Sequence, residues 1–179
     1  MTIAIYSDFD GVFNISDSSA TASATIETTD SHFLRNKDSI SWSPEIVKSM
    51  NELLATGLYD FVWHTTWNDG GNILKAAEIM GFEGAMKHTD AVLNQNAGSK
   101  MEWTRWKAEH IIADQAENPR PFIWIDDLAP YFWGDHIRGS FRHLPLIIHT
   151  NGRVGLTNKD IVKIIDWTQE QLSEGLVSV

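Results

Sequence analysis

Short apolar segments recur along the chain, and each ends in polar or turn-forming residues. They cover residues 2–7, 58–64, 122–125 and 146–149, with a shorter one at 91–93. Apolar segments of this length, bounded by turn residues, predict buried strands.

The segments between these strands carry apolar residues at helical spacing. The clearest of them begins at Ser43 and Pro44, which suit the N-cap and the first position of a helix, and ends at Gly57. Its apolar stripe comprises Ile46, Val47, Met50, Leu53 and Leu54. Further helices are predicted over residues 72–80 and over residues 102–116. A last helix is predicted to begin after Thr157, its N-cap, with Asp160 at the third helical position in a pattern close to a capping box.

Strands therefore alternate with helices, which predicts an α/β fold with a doubly wound, three-layer, Rossmann-like parallel sheet. The sequence contains no internal repeat and no linker, so residues 1–179 are expected to form one domain. Residues 14–43 differ from the rest because they are rich in Ser, Thr and Asp. This segment is either disordered or a small β-hairpin flap that carries Ile26, Phe33 and Leu34.

Composition excludes several classes of site. The chain has no cysteine, which excludes disulfides and thiolate metal sites and suits a cytoplasmic protein. It has no apolar run of membrane-spanning length and no signal peptide, so no membrane association is expected. The formal net charge of −10 argues against a broad surface that coats nucleic acid, because phosphate contacts need Lys and Arg.

Candidate chemistry begins directly after the first strand, at Asp8 and Asp10. Side chains at positions i and i+2 of an extended segment project to the same side, and Gly11 lets the chain turn away after them. Two such carboxylates suit a hard cation, and they also offer one nucleophile and one proton-transfer group.

Two more predicted strands end in residues suited to the same chemistry. The strand at 58–64 ends in Thr65 and Thr66, and the strand at 122–125 ends in Asp126 and Asp127. Because ligands of open parallel sheets bind at the carboxyl ends of the strands, these residues are expected to lie near Asp8. Thr65 and Thr66 would point to opposite faces of a continuing strand, and Thr65 is favoured because it follows the apolar strand first.

These segments resemble the motifs of the haloacid dehalogenase (HAD) superfamily. Residues 8–12, Asp-Phe-Asp-Gly-Val, are similar to its first motif, residues 62–65 to its second, and residues 123–127 to its fourth. The superfamily has a lysine before the fourth motif, for which Lys100 and Lys107 are both candidates.

A narrower resemblance is to the HAD domains associated with Swiss-army-knife RNA repair proteins. It includes the Val-Trp-x-Thr-Thr-Trp string at 62–67, the Trp106-Lys107 pair, residues 124–127 and Gly-Leu-Thr at 155–157. The Trp-Lys pair favours Lys107 over Lys100. Trp67, at the end of the string, is either a core residue or a wall of the substrate site.

The resemblance implies a phosphatase that works through an aspartyl-phosphate. Asp8 would be the nucleophile, and Asp10 would protonate the leaving oxygen and then help to activate water. Thr65 would bind a phosphoryl oxygen, and Lys107 would neutralise the developing charge.

The resemblance also implies a Mg²⁺ cofactor. Its ligands would be the Asp8 carboxylate, the main-chain carbonyl of Asp10 and Asp126, with Asp127 assisting.

The expected HAD-like domain has room for the small flap at 14–43 but for no large cap domain. An open site of this kind suits a bulky phosphorylated substrate such as a nucleotide or a nucleic-acid end. The alternative is a phosphatase or phosphotransferase that acts on a small phosphorylated metabolite. Dehalogenases of the superfamily lack an acid at the position of Asp10, which argues against that reaction. A non-catalytic binding or regulatory module is a further alternative, and turnover of a generic aryl phosphate would distinguish it.

Overall fold

A five-stranded parallel sheet forms the centre of the molecule, with the strand order β5-β4-β1-β6-β7. The computed structural model describes residues 2–28, 37–84, 87–89, 99–141, 143–175 and 177. The strands are β1 (Ile3–Ser7), β2 (Ala22–Glu27), β3 (Lys37–Trp42), β4 (Tyr59–Trp63), β5 (Lys87–His88), β6 (Phe122–Asp126) and β7 (Leu146–His149). The predicted parallel α/β sheet is confirmed.

Within the described residues, five α-helices and one 3-10 helix connect or follow the strands. They are α1 (Pro44–Ala55), the 3-10 helix (Thr66–Gly71), α2 (Asn72–Met80), α3 (Lys100–Glu117), α4 (Ala129–Ser140) and α5 (Asn158–Ser173). The predicted capping box is present at α5, where the Thr157 hydroxyl accepts from the backbone of Asp160 and the Asp160 side chain accepts from the backbone of Thr157. Ser43 is the N-cap of α1, but its side chain makes no capping hydrogen bond.

The helices cover both faces of the sheet, because successive side chains of a strand point to opposite sides. Ile3 and Ile5 of β1 pack into a core cluster with residues of α1, α2 and α5. Ala4 and Tyr6 pack into a second cluster with residues of α3 and α4. The fold is therefore three-layered, with β1 buried on both sides.

The strand register aligns the carboxyl ends of the three central strands. Ser7, the last residue of β1, pairs with Trp63 of β4 and with Ile125 of β6. The residues that follow these positions therefore meet at one edge of the sheet.

Helix α4 was not predicted from the sequence, and neither were the short strand β5 and the 3-10 helix. Helix α4 contains Pro130 in its first turn and Gly134 and Gly139 in its body, and glycine within a helix is unfavourable. The helix packs through Ala129 and Ile137, which are both fully buried. Tertiary packing therefore overrides weak local preference here.

Residues 22–42 contain a β-hairpin, which is one of the two alternatives predicted for this region. Strands β2 and β3 pair antiparallel, and Ile26 and Ile40 are buried. Phe33 and Leu34 lie outside the described residues, as does the strand predicted at 91–93. The hairpin joins the segment after β1 through a hydrogen bond from Ile15 N to Ser41 O (2.8 Å).

Candidate active site

A buried lysine joins two carboxylates at the carboxyl edge of the sheet. Lys107 Nζ donates to Asp8 Oδ2 at 2.5 Å and to Asp126 Oδ2 at 2.6 Å. Asp8 follows β1 and Asp126 ends β6, so the two carboxylates come from neighbouring strands. Lys107 lies within α3, whereas Lys100 is exposed at the first position of that helix. The geometry therefore brings Lys107 to the predicted site.

Backbone hydrogen bonds fix the other oxygens of both carboxylates. Asp126 Oδ1 accepts from Leu128 N at 2.8 Å and from Ala129 N at 2.7 Å, where α4 begins. Asp8 Oδ1 accepts from Phe9 N at 2.7 Å. Hydrogen bonds from amides to ionised carboxylates are strong, so both side chains are held in one orientation.

The Asp127 carboxylate lies close to those of Asp8 and Asp126, and Gly11 and Gly152 leave room for it. The three carboxylates form a group in which the ligand atoms are all within 4.8 Å of one another. A Cβ atom at Gly11 would lie 2.4 Å from Asp127 Oδ2, and one at Gly152 would lie 2.3 Å from it. Gly11 also has φ +70°, which L side chains rarely adopt. The sequence analysis did not identify Gly152.

The Asp10 carboxylate is hydrogen-bonded on both of its oxygens. Asn14 Nδ2 donates to Oδ1 at 2.7 Å, and Trp67 Nε1 donates to Oδ2 at 2.8 Å. Trp67 is buried, as expected of a core residue, which is one of the two alternatives predicted for it. Asn14 was not identified from the sequence, because only the folded turn brings its amide to Asp10.

Strand β4 brings Thr65 to the same edge of the sheet. Thr65 is fully buried, and its Oγ1 accepts from Trp67 N at 3.4 Å. Thr66 is partly exposed and begins the 3-10 helix. The backbone just before Thr65 bonds to the end of β1 through His64 N and Ser7 O (2.7 Å).

Burial and charge shift the ionisation of these groups in different directions. Burial raises the pKa of Asp8 above its ordinary value, and the nearby Lys107 ammonium opposes that rise. Burial would lower the pKa of Lys107, but the Asp126 and Asp8 carboxylates outweigh it and raise that pKa. Burial and the Asp126 charge also raise the pKa of Asp127. Three carboxylates therefore face one ammonium, and the excess negative charge favours a cation.

His64 lies behind this site and is fully buried. Within the described part of the chain, neither of its ring nitrogens has a hydrogen-bond partner. Its ring packs edge-on against Trp106 at 5.0 Å and lies 5.2 Å from the His110 ring. Burial, with the charges of Lys107 and His110, holds the pKa of His64 well below its ordinary value. His64 is therefore a neutral packing residue.

Among residues that the structure describes, no helix is both long enough and apolar enough to cross a membrane.

The sequence was compared with protein families, curated proteins and solved structures. The profile described as "HAD domain in Swiss Army Knife RNA repair proteins" matches residues 4–161. Neither the curated proteins nor the solved structures gave a match. The family match confirms the predicted resemblance and indicates a hydrolase of the HAD type. The chain therefore belongs to the family of HAD domains in Swiss Army Knife RNA repair proteins.

Proposed function

We propose that this protein is a Mg²⁺-dependent phosphomonoester hydrolase that forms an aspartyl-phosphate on Asp8. The contact of Lys107 with both Asp8 and Asp126 carries the proposal. A buried ammonium beside a carboxylate orients that carboxylate and offers positive charge to an incoming phosphoryl group. Asp10, two residues after Asp8, supplies a proton-transfer group on the same segment.

The acidic cluster suits a Mg²⁺ ion. Its donors are all carboxylate oxygens, which hard cations prefer, and one ammonium leaves their charge incompletely balanced. Asp8, Asp126 and the main-chain carbonyl of Asp10 would hold the ion, with Asp127 assisting. When bound, Mg²⁺ supplies positive charge that screens the carboxylates from an anionic substrate.

The first chemical step is an attack by a carboxylate oxygen of Asp8 on phosphorus. The new Asp8 O–P bond forms as the bond from phosphorus to the leaving oxygen breaks, and the leaving oxygen takes a proton from the Asp10 carboxyl group. Lys107 balances the negative charge on the transferring group, and the Thr65 hydroxyl donates to a phosphoryl oxygen.

The second step returns the enzyme to its starting state. Asp10, now ionised, takes a proton from water as the water oxygen attacks the phosphorus of the aspartyl-phosphate. The bond between phosphorus and the Asp8 oxygen breaks, inorganic phosphate leaves, and the Asp8 carboxylate is restored.

For the substrate, we propose the terminal phosphate of a nucleotide or nucleic acid. The name of the matching family, which refers to RNA repair, supports this class. Contacts to such a substrate are few and local, because the net charge of −10 disfavours an extended phosphate-binding surface. A small phosphorylated metabolite is the competing substrate.

Phosphate release from a substrate panel tests the proposal. The panel contains p-nitrophenyl phosphate, mononucleotides, sugar phosphates and oligonucleotides with a 3′- or 5′-phosphate, each assayed with Mg²⁺ and with EDTA. The proteins are the wild type, Asp8→Asn and the matched control Asp135→Asn, whose carboxylate is exposed on α4.

The expected result is Mg²⁺-dependent release by the wild type and the Asp135→Asn control, with release abolished in Asp8→Asn. Near-wild-type turnover by Asp8→Asn would show that the nucleophile is another group. Failure of the wild type on the whole panel would favour a binding module, and preference for a sugar phosphate would replace the nucleic-acid substrate.

A further inference from the structure

The Asp10 side chain is exposed, yet both of its oxygens accept hydrogen bonds from protein donors. Asn14 Nδ2 lies 2.7 Å from Oδ1, and Trp67 Nε1 lies 2.8 Å from Oδ2. An exposed carboxylate ordinarily remains solvated and rotates freely, because holding a surface side chain costs conformational entropy. Two donors on opposite oxygens remove that freedom, and each oxygen keeps a lone pair that can carry a proton.

The donor from Trp67 has a fixed direction because the indole is packed. Trp67 is 3% exposed, and its ring lies 4.8 Å from the ring of Phe9 in an edge-to-face contact. The indole N–H therefore points from a buried position toward the exposed Asp10 carboxylate. Phe9 lies between Asp8 and Asp10, so the same packing links the two proposed reacting groups.

The donor from Asn14 connects Asp10 to the hairpin. Asn14 Oδ1 accepts from the backbone N of Ser41 at 3.0 Å, so one amide side chain bridges Asp10 and strand β3. The backbone of Asn14 is also fixed, because its carbonyl accepts from Gly11 N at 2.9 Å.

We infer that Asn14 and Trp67 are positioning residues that orient the Asp10 carboxylate for proton transfer to the leaving oxygen, and that Asn14 couples this orientation to the β2–β3 hairpin. The inference rests on the proposed function and adds two residues that act through Asp10. Neither residue needs to touch the substrate.

The test compares two substrates that differ mainly in the leaving group. Phenyl phosphate and p-nitrophenyl phosphate have similar shapes, but phenoxide is the more basic leaving group and depends more on protonation. The variants are Trp67→Phe, which keeps an aromatic ring and removes the N–H donor, and Asn14→Ala, which removes the amide. Asn14→Asp preserves the shape and keeps an acceptor for Ser41, but it replaces the donor to Asp10 with a like charge, so it should disturb the Asp10 carboxylate at least as much as Asn14→Ala does.

Two control variants match these changes away from the site. Trp133→Phe removes an indole donor to Met101 O, and Asn51→Ala removes an amide that bridges Gly81 O and Glu83 N. Thermal unfolding of every variant establishes that folded proteins are compared.

The expected result is a loss of kcat/KM about tenfold larger on phenyl phosphate than on p-nitrophenyl phosphate for the three site variants, because kcat/KM reports the step in which the leaving oxygen is protonated and general acid catalysis is worth about 10²–10⁴-fold in total. The controls change both rates equally. In the background of Asp10→Asn, Trp67→Phe should reduce the remaining rate by less than about twofold, because non-additivity identifies residues that act together.

Equal losses of kcat/KM on the two substrates, or a full additional loss in the Asp10→Asn background, would overturn the inference while leaving the phosphatase proposal intact. A wild type that hydrolyses neither these two substrates nor any other member of the substrate panel with Mg²⁺ would instead remove the proposed function, and this inference with it.

Discussion

Lys107 Nζ lies 2.5 Å from Asp8 Oδ2, although 99 positions of sequence separate the two residues. The pair is buried, and Asp126 shares the same ammonium. Taking three charged groups out of water is costly unless each is paired, so the arrangement depends on all three being present.

Removing the ammonium should therefore affect both stability and turnover. We expect Lys107→Met to lower the free energy of unfolding by about 3–5 kcal/mol, because it leaves buried carboxylates without their cation. Turnover per folded molecule should fall at least about 10²-fold, since charge stabilisation in the transition state is lost. Chemical denaturation and phosphate release measure the two effects.

Lys100→Met is the matched control, because Lys100 is exposed at the start of the same helix. It should keep wild-type stability and turnover. A fully active Lys107→Met beside an inactive Lys100→Met would reverse the assignment of the lysine.

Gly152 offers a way to move the Asp127 carboxylate while leaving the fold intact. A Cβ at this position would lie 2.3 Å from Asp127 Oδ2 but 3.4 Å from Cγ, so a rotation of the carboxylate relieves the clash. We expect Gly152→Ala to raise the Mg²⁺ concentration for half-maximal activity about 10-fold, the lower end of the effect of disturbed metal-site partners. Activity at increasing Mg²⁺ measures this shift.

Gly139→Ala is the control for a glycine-to-alanine change. Gly139 lies within helix α4, and no atom of the other described residues that were considered lies within 4 Å of a Cβ at this position. This variant should keep the wild-type Mg²⁺ response and gain about 0.5–1 kcal/mol of stability. An unchanged Mg²⁺ response in Gly152→Ala would mean that Asp127 does not assist the metal site.

His64 should make the fold sensitive to acid. Its pKa is well below the ordinary 6.5 in the folded protein, so below pH 6.5 the unfolded state binds a proton that the folded state does not. Stability therefore falls as the pH decreases, by at most about 1.4 kcal/mol per pH unit for one group. The charged or titratable neighbours are Lys107, His110 and Tyr6.

The variant His64→Phe keeps an aromatic ring and removes this titration. The difference in melting temperature between His64→Phe and the wild type should increase in favour of the variant as the pH falls from 7 to 5. A difference that stays constant over this range would contradict a neutral, buried His64.

The hairpin should contribute to the stability of the sheet as well as covering one side of it. Ile40 of β3 is fully buried in the cluster that contains Ile3 and Ile5 of β1. Ile40→Ala should cost about 2–5 kcal/mol, the usual range for truncating a buried aliphatic side chain. Urea denaturation measures the loss, and Ser39→Ala, at the neighbouring exposed position, should be nearly neutral. Similar small effects for both would mean that the hairpin packs loosely.

Local patterns were sufficient to predict much of the fold and the acidic residues of the site. Within a few residues, the sequence shows the i, i+2 spacing of Asp8 and Asp10. It also shows Asp126 and Asp127 directly after an apolar strand. The parallel order then brings the strand ends together, because carboxyl ends share one edge. The roles of these residues in catalysis and in metal binding stay predictions.

The features that were missed depend on contacts that no local pattern contains. Gly152 matters because the loop after β7 reaches Asp127, and Asn14 matters because the turn after β1 meets both Asp10 and β3. Helix α4 has two glycines and a proline, and its stability comes from packing against the sheet. Each of these depends on tertiary structure, which sequence periodicity does not encode.

The central position of β1 has a consequence for biosynthesis. This strand leaves the ribosome before both of its neighbours, β4 and β6, and parallel pairing requires a crossover before either can join it. Its apolar residues therefore stay unpaired while at least the next 52 residues are translated, since β4 begins at Tyr59 and β1 ends at Ser7. Asp8 is synthesised early, but it can contact Lys107 and Asp126 only after β6 has emerged from the ribosome. No shorter nascent chain therefore carries the assembled site.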